Sequence, residues 1–364
     1  MCLFNIAMFT VPPLFAIIIH SYLRHGEMSG KRKVCFFMVY TLLINAWVYS
    51  VSCLRGVTRI VFEHLTVSYR MKYMGLGVLL GFILPFVVCL AMEEKITIGG
   101  LKRYVTRFCV DIQKYLPYAI RSARANLRSE VANSYLNWLW WLIEPVCMML
   151  IYTVIFGVVF KASEEYFPIF IFIGIIMWNF FSRSISGSVN TVRSNKGIIT
   201  KIYMPKYILL LSKMFVNGFK MLVSFGVVFL MMLVFRVPIT YRILHFIPII
   251  GVLFLFTFGV GTILMHYGVY VSDLSYITGI VLTMLMYLTG TFYSVSKRVP
   301  APFGDIMEQC NPVAFLISTM RNSLLYGEGF SWGLLGLWCL ISVILIALGA
   351  FTIYSNENSY VKVI

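Results

Sequence analysis

The chain has 364 residues, of which 60% are hydrophobic, 16% aromatic and only 12% charged, against about 45–50% apolar residues in an ordinary soluble domain. Thirty Lys and Arg against fourteen Asp and Glu give a net charge of +16. The composition excludes a soluble enzyme with a large catalytic domain, and a basic excess in so apolar a chain points to membrane-facing loops and lipid headgroups rather than to nucleic acid.

Apolar runs poor in charge occupy residues 3–19, 34–54, 73–92, 139–160, 166–185, 221–235, 243–271, 277–292 and 330–354. Most approach the ~20 residues that cross a bilayer as a helix. Barrel strands would alternate apolar and polar residues over about ten positions, whereas these runs are apolar on all sides, which predicts an all-α polytopic membrane protein. The run 3–19 has neither a basic stretch before it nor a small-residue cleavage site after it, so it does not read as a cleaved signal peptide. Three crossings before residue 93 would put the basic stretch 55–72 outside, against the positive-inside rule. Two or three helices are therefore expected there.

The segment 93–137 carries Lys95, Lys102, Arg103, Arg107, Lys114, Arg121, Arg124 and Arg128 against four acids, and is expected on the cytoplasmic side with a boundary at 97–111. Arg121, Arg124 and Arg128 keep the spacing of one helical face while Ile120, Ala123, Leu127 and Val131 populate another. That pattern predicts an interfacial amphipathic helix over 112–137, with Trp138, Trp140 and Trp141 at headgroup level. The helix either sets the depth of the next span or holds phosphates of a lipid-linked substrate, whose oxygens match the arginine fork.

The later connections alternate in charge. Residues 161–165 hold one base and two acids, while the next connection holds Arg183, Arg193, Lys196, Lys201 and Lys206 and no acid. Continuing the alternation puts 236–242 outside, the turn at Asp273 inside, 293–329 outside and the C-terminus inside, which gives a six-span unit over 138–364 after an extension at 1–111.

Lys206, Lys213 and Lys220 recur every seven residues, with Asn217 near the same face. A helix over 207–235 would be about 43 Å long, more than the ~30 Å hydrocarbon core, so its first turns leave the bilayer or line water. Lys213 can snorkel to the interface; Lys220 lies deeper and is a candidate for a hydrated path used by an anionic headgroup. Tyr152 and Phe156, with Tyr287, Phe292 and Tyr293, are either packing residues or a surface on which sugar rings stack. Val313, Leu316, Ile317, Met320 and Leu324 repeat at helical spacing over a piece too short to cross, which predicts a helix dipping into or lying on the outer face.

None of the eight cysteines (Cys2, Cys35, Cys53, Cys89, Cys109, Cys147, Cys310, Cys339) has C-x-x-C spacing, so no disulfide or zinc framework is expected. The sequence contains no G-x-x-x-x-G-K-[ST], H-E-x-x-H or G-x-S-x-G string. The chain is expected to bind no cofactor or metal and to hydrolyse no ATP by itself.

The stretch 115–141 (YLPYAIRSARANLRSEVANSYLNWLWW), with Glu144-Pro145 and MMLIYTVIFGVVF after it, resembles the permease subunit of type-2 ABC exporters that move lipid-linked polysaccharides such as O-antigen or teichoic acid. The basic loop NKGIITKIYMPK (195–206), the acidic turn YGVYVSDLSYI (267–277) and Asn311-Pro312 followed by VAFLISTMRNSLLYG agree with that family's pattern in the same order. The resemblance runs from about residue 115 to the C-terminus and leaves 1–111 outside. It implies a six-helix ABC exporter transmembrane domain preceded by two or three extra transmembrane helices, in a bacterial plasma membrane. It also implies a homodimer around the passage and a separate ATP-binding cassette subunit that holds ATP and Mg. On that reading Arg121, Arg124, Arg128, Tyr152, Phe156, Lys220, Tyr287 and Tyr293 lie along the path of the lipid-linked polysaccharide, and Arg193, Lys196, Lys201 and Asp273 couple to the ATPase. The alternatives are a permease of the same kind for a drug or simple lipid, and a non-transport membrane protein of glycan assembly. An enzyme should gather acids or histidines at one membrane face, and the five histidines here are scattered.

Overall fold

The computed structural model describes residues 98–132, 135–159, 164–201, 203–238, 240–299 and 303–363. The apolar runs 3–19, 34–54 and 73–92 and the basic stretch 55–72 lie outside the described residues. Among the described residues every regular element is helical and no strand occurs. Five helices are long and apolar enough to cross a membrane: Trp140–Gly157, Phe167–Val189, Lys206–Val234, Tyr241–Tyr270 and Trp332–Glu357. The protein is a multi-pass, helical membrane protein.

Helix α1 (Ile98–Val131) runs unbroken for 34 residues, starting within the stretch 97–111 that the sequence offers as a boundary. Its covered stripe follows Ile112, Leu116, Ala119, Ala123 and Leu127, while Ile120 is 47% exposed. The stripe enters one position earlier than the sequence pattern because Ala119 and Ala123, both buried, are the small side chains that let α1 lie against α4. Arg121, Arg124 and Arg128 are left on the exposed face.

Helix α2 (Trp140–Tyr152) passes into a seven-residue π-helical stretch, Thr153–Val159. Helix α3 (Phe167–Val189) is apolar all round in its first half and buried through Ile169–Trp178. A helix with no polar face belongs at the centre; α3 touches α2, α4 (Lys206–Val234), α5 (Phe246–Tyr270), α6 (Leu274–Leu288) and α7 (Pro312–Leu324). The first turns of α4, from Lys206 to Leu211, are buried under protein, which is how a 29-residue helix is accommodated.

Helix α8 (Trp332–Val363) makes its main contact with α5. His245, just before α5, meets Trp332 at the start of α8, and His266 near the end of α5 meets Tyr360 near the end of α8, so the two helices run parallel, side by side. Helix α6 has 15 residues, about 22 Å, and is shorter than each of the five span-length helices. In α7, Val313, Leu316, Ile317, Met320 and Leu324 are each 2% exposed or less, as their spacing predicts. A separate short helix, Phe303–Cys310, groups apart from this body, which comprises the described residues of 97–299 and 311–364. The body has two ends: a basic end, where α3, α5 and α8 finish and α4 starts, and a Glu164 end, where α3 starts, α6 finishes and α7 lies.

Candidate functional site

At the Glu164 end the structure gathers the aromatics that the sequence singles out. Tyr152 and Phe156, one turn apart on α2 and its π-helical continuation, both pack on Phe292 beyond α6, with ring centroids 4.2 and 5.3 Å away; Phe156 and Phe292 stack within 6°. Tyr287 is 6.2 Å from Phe292, and the Tyr293 hydroxyl donates to the Tyr287 carbonyl at 2.8 Å. Tyr287 remains 56% exposed, so the group offers open ring surface as well as packing.

Arg321 on α7 organises this end, and the sequence reading passed over it. It is 3% exposed. Its Nε donates to the Phe170 carbonyl at 3.0 Å, Nη1 to Gly290 at 2.9 Å and Nη2 to Thr291 at 2.6 Å, while the guanidinium lies 3.6 Å from the Phe170 ring centroid. One side chain thus joins α7, the start of α3 and the turn after α6. Gly174 makes room for it, since a Cβ there would collide with the guanidinium and the Thr291 carbonyl. The available signal was a lone arginine inside the apolar repeat of 313–325. Asn311 caps α7, accepting from the amides of Val313 (3.1 Å) and Ala314 (3.3 Å) and donating to Thr289 Oγ1 (3.1 Å).

Between these groups lies a cavity of about 390 Å³ bounded by Glu164, Glu165, Tyr293, Ser318, Asn322 and Glu328, among others. Lys297 donates to Glu164 at 2.6 Å. Burial, with Glu164 nearby, pushes the Tyr326 hydroxyl up to about 12.

Lys220, expected as a deep cation facing water, is engaged by its surroundings. Its Nζ donates to Glu130 Oε2 at the end of α1 and sits 5.6 Å from the Trp141 ring centroid. On the neighbouring helices Arg183 pairs with Glu144, and Asn217 donates to Ser184 Oγ at 3.0 Å. Trp141, Glu144, Arg183, Asn217 and Lys220 line a narrow crevice where α2, α3 and α4 meet. Lys213, two turns of α4 nearer the basic end, reaches the Gly187 carbonyl on α3 and Ser194 just beyond it. Arg121, Arg124 and Arg128 are exposed on α1 and take no part in the crevice.

At the basic end, Arg193 donates to the Val269 carbonyl at 3.0 Å, which ties the loop after α3 to the last turn of α5, four residues before Asp273. Gly268 permits this approach, because a Cβ there would overlap the Val189 carbonyl. Asp273, Lys196 and Lys201 are exposed around that junction. A second junction holds α1 to α8: Arg107 donates to Tyr203 and to Glu357 (3.2 Å), Tyr203 donates to Glu357 (3.0 Å), and the Tyr354 hydroxyl donates to Asp111 (2.7 Å). Burial and the Glu357 carboxylate raise the Tyr203 hydroxyl above its usual range. Among the described residues no three His, Cys, Asp or Glu side chains converge on a metal position.

A family model described as ABC-2 type transporter matches residues 121–325, more than half of the chain. The chain belongs to the ABC-2 type transporter family. The ABC-2 match starts at Arg121 within α1 and ends one residue beyond α7, so it takes in the Lys220 crevice, the Arg193 junction and Arg321. Among curated proteins the chain is similar to the O-antigen export system permease protein RfbA of Myxococcus xanthus, 24% identical over 215 residues, covering 59% of this chain and 83% of that protein. It is also similar to RfbA of Klebsiella pneumoniae, 26% identical over 203 residues (56% and 78%). A third relative is the polysialic acid transport protein KpsM of Escherichia coli, 20% identical over 225 residues (60% and 86%). This ABC-2 chain is therefore related to polysaccharide-export permeases, and a bacterial inner-membrane location is consistent with its helices and its relatives.

Proposed function

We propose that the chain is the membrane-spanning half of an ATP-driven exporter that moves a lipid-linked polysaccharide, of the O-antigen, teichoic acid or capsule-like kind, across the bacterial plasma membrane. Six spans from residue 138 onward form the permease unit, with α6 as the short sixth member, residues 112–137 as its interfacial helix and 1–111 as an extension. The basic end faces the cytoplasm and the Glu164 end faces outward. Two copies enclose the passage. The sequence has no P-loop, so two copies of a separate ATP-binding cassette subunit hold ATP and Mg²⁺. They dock around Arg193, Lys196, Lys201 and Asp273, where the Arg193–Val269 bond makes the loop after α3 and the α5–α6 turn move together. Different contacts with the ATP-bound and free partner then bias the passage between closed and open.

The observation that carries this reading is the convergence of Tyr152, Phe156, Tyr287, Phe292 and Tyr293 at one end of the bundle. Sugars bind ring faces through their C–H edges and hydroxyls through hydrogen bonds, and this group supplies both. Arg121, Arg124 and Arg128, exposed on α1, suit the phosphates of a lipid carrier. The names of the relatives support the cargo class.

The test is deletion of the gene and, separately, of the candidate ATPase gene, with surface glycan measured by immunoblot and flow cytometry. Both deletions should abolish surface glycan, and each should be rescued by its own gene. Unchanged surface glycan in either deletion refutes the proposal, as does ATP hydrolysis by the purified chain alone.

A further inference from the structure

The cavity at the Glu164 end has features that packing alone does not require. We infer that it is a saccharide-binding site that takes uncharged, hydroxyl-rich sugar units; this deepens, and rests on, the export reading above. Helix α7 presents two stripes. One, made of Val313, Leu316, Ile317, Met320 and Leu324, is apolar and buried. The other, Ala314, Ser318 and Asn322, repeats every four residues and lines the cavity. The volume, about 390 Å³, falls within the ~300–1,000 Å³ of small-molecule sites.

Several of the lining polar groups are already occupied. The Thr289 hydroxyl donates to the Leu285 carbonyl, Tyr293 to Tyr287, and Ser294 pairs with Ser296. By contrast the Ser318 hydroxyl, the Asn322 amide and the Glu328 carboxylate hold no hydrogen bond or ion pair with another described residue, while sharing one cavity wall. A carboxylate, an amide and a hydroxyl together match the alternating donors and acceptors of adjacent sugar hydroxyls. The Tyr293 and Tyr326 rings supply the apolar faces against which a pyranose C–H surface packs.

Charge narrows the ligand. The Arg321 guanidinium is directed at three carbonyls, and Lys297 is paired with Glu164. Glu165 and Glu328 are exposed acids on the rim. The cavity therefore repels anions, so uronic or sialic units are disfavoured and uncharged hexoses are admitted. Tyr293 belongs both to the cavity and to the aromatic group on Phe292, which makes the site continuous with the proposed passage.

The full chain in lipid nanodiscs is probed by saturation-transfer NMR with methyl glucoside, mannoside, galactoside and rhamnoside, and with methyl glucuronide as the anionic control. At least one neutral glycoside should receive saturation, with the glucuronide weaker by about tenfold. Glu328→Gln and Asn322→Ala should each weaken the signal several-fold, and Ser318→Trp, which fills the cavity, should abolish it. Each variant is compared at a melting temperature matching wild type, and a variant that fails to fold is replaced by Ser318→Leu. Absence of transfer from every neutral glycoside overturns the inference, as does transfer unaffected by these substitutions or equal transfer from the glucuronide. Surface glycan measured in matching strains separates the two claims. No binding with intact export overturns this site alone, whereas binding with surface glycan indifferent to gene deletion overturns the export reading alone.

Discussion

Replacing Arg321 by Met removes the side chain that fastens α7 to the start of α3 and to the turn after α6. Three hydrogen bonds from a charged donor are worth about 1.5–3 kcal/mol each, and all three acceptors are backbone carbonyls in the interior. The buried guanidinium carries a desolvation cost of several kcal/mol, which the methionine returns. The net loss is therefore about 2–4 kcal/mol. Lys reaches one carbonyl at a time and keeps the charge, so Arg321→Lys should lie between Met and wild type.

The loss is local, and a local probe reads it best. Ile317 is 0% exposed, in the buried apolar stripe of α7. In a background where native cysteines are replaced by serine, Ile317→Cys should react with a maleimide only when α7 lifts away. A drop of 2–4 kcal/mol in the opening free energy raises the open fraction by roughly 30- to 700-fold. Arg321→Met should accelerate labelling on that scale at unchanged labelling of an exposed control, Ser296→Cys. A rate within threefold of the parent would show that the three carbonyl contacts do not hold α7 down, and the reasoning would fail.

Asn311→Ala removes the cap of α7 and its bond to Thr289. It should cost about 1 kcal/mol and accelerate the same labelling about fivefold; no acceleration would deny the cap a role. Gly268→Ala pushes a Cβ into the Val189 backbone, an overpacking worth about 1–3 kcal/mol. The permease should still insert but should stimulate its partner's ATP turnover poorly, and wild-type stimulation would remove this junction from the coupling path. Tyr326 has its pKa raised to about 12 by burial, against ~10 when unfolded. The native state therefore holds the proton longer, and stability present below pH 10 is lost as pH rises toward 12. Tyr326→Phe should flatten the fall of melting temperature across that window; an unaltered slope would contradict the burial. Lys220→Ala should lower export more than Lys213→Ala, because it leaves Glu130 unpaired at the crevice. Equal export by both variants and wild type would discard that site.

Much of the body could be read from one-dimensional pattern because the pattern is strong where a helix is apolar all round. The runs at 166–185 and 330–354 appear as α3 and α8, and α7 appears with all five expected apolar side chains buried. Patterning was weaker for α1. Its stripe is set by where alanines allow close approach, and hydrophobicity gives alanine little weight, so the sequence favoured Ile120 over Ala119. The end of the 277–292 run was also misjudged, because Thr289, Gly290 and Thr291 turn the chain to offer carbonyls to Arg321.

The functional groups divide along the same line. The five aromatics were legible as candidates by residue type, but only packing shows that Tyr152, Phe156 and Tyr287 meet on one Phe292. Lys220 stood out as a deep charge, and its partner did not, since Glu130 lies 90 residues away on the helix read as interfacial. The Arg107–Glu357 pair spans 250 residues and has no sequence signature at all. Arg321 is the instructive miss. Read along the chain it interrupts an apolar repeat, and the simplest account is a snorkelling or interfacial base. In the structure its fork is matched by three carbonyls from two segments, one of which lies 151 residues away. A buried charge with such a desolvation cost is held here by three backbone carbonyls, and that arrangement was open from sequence only as a question about what α7 is fastened to.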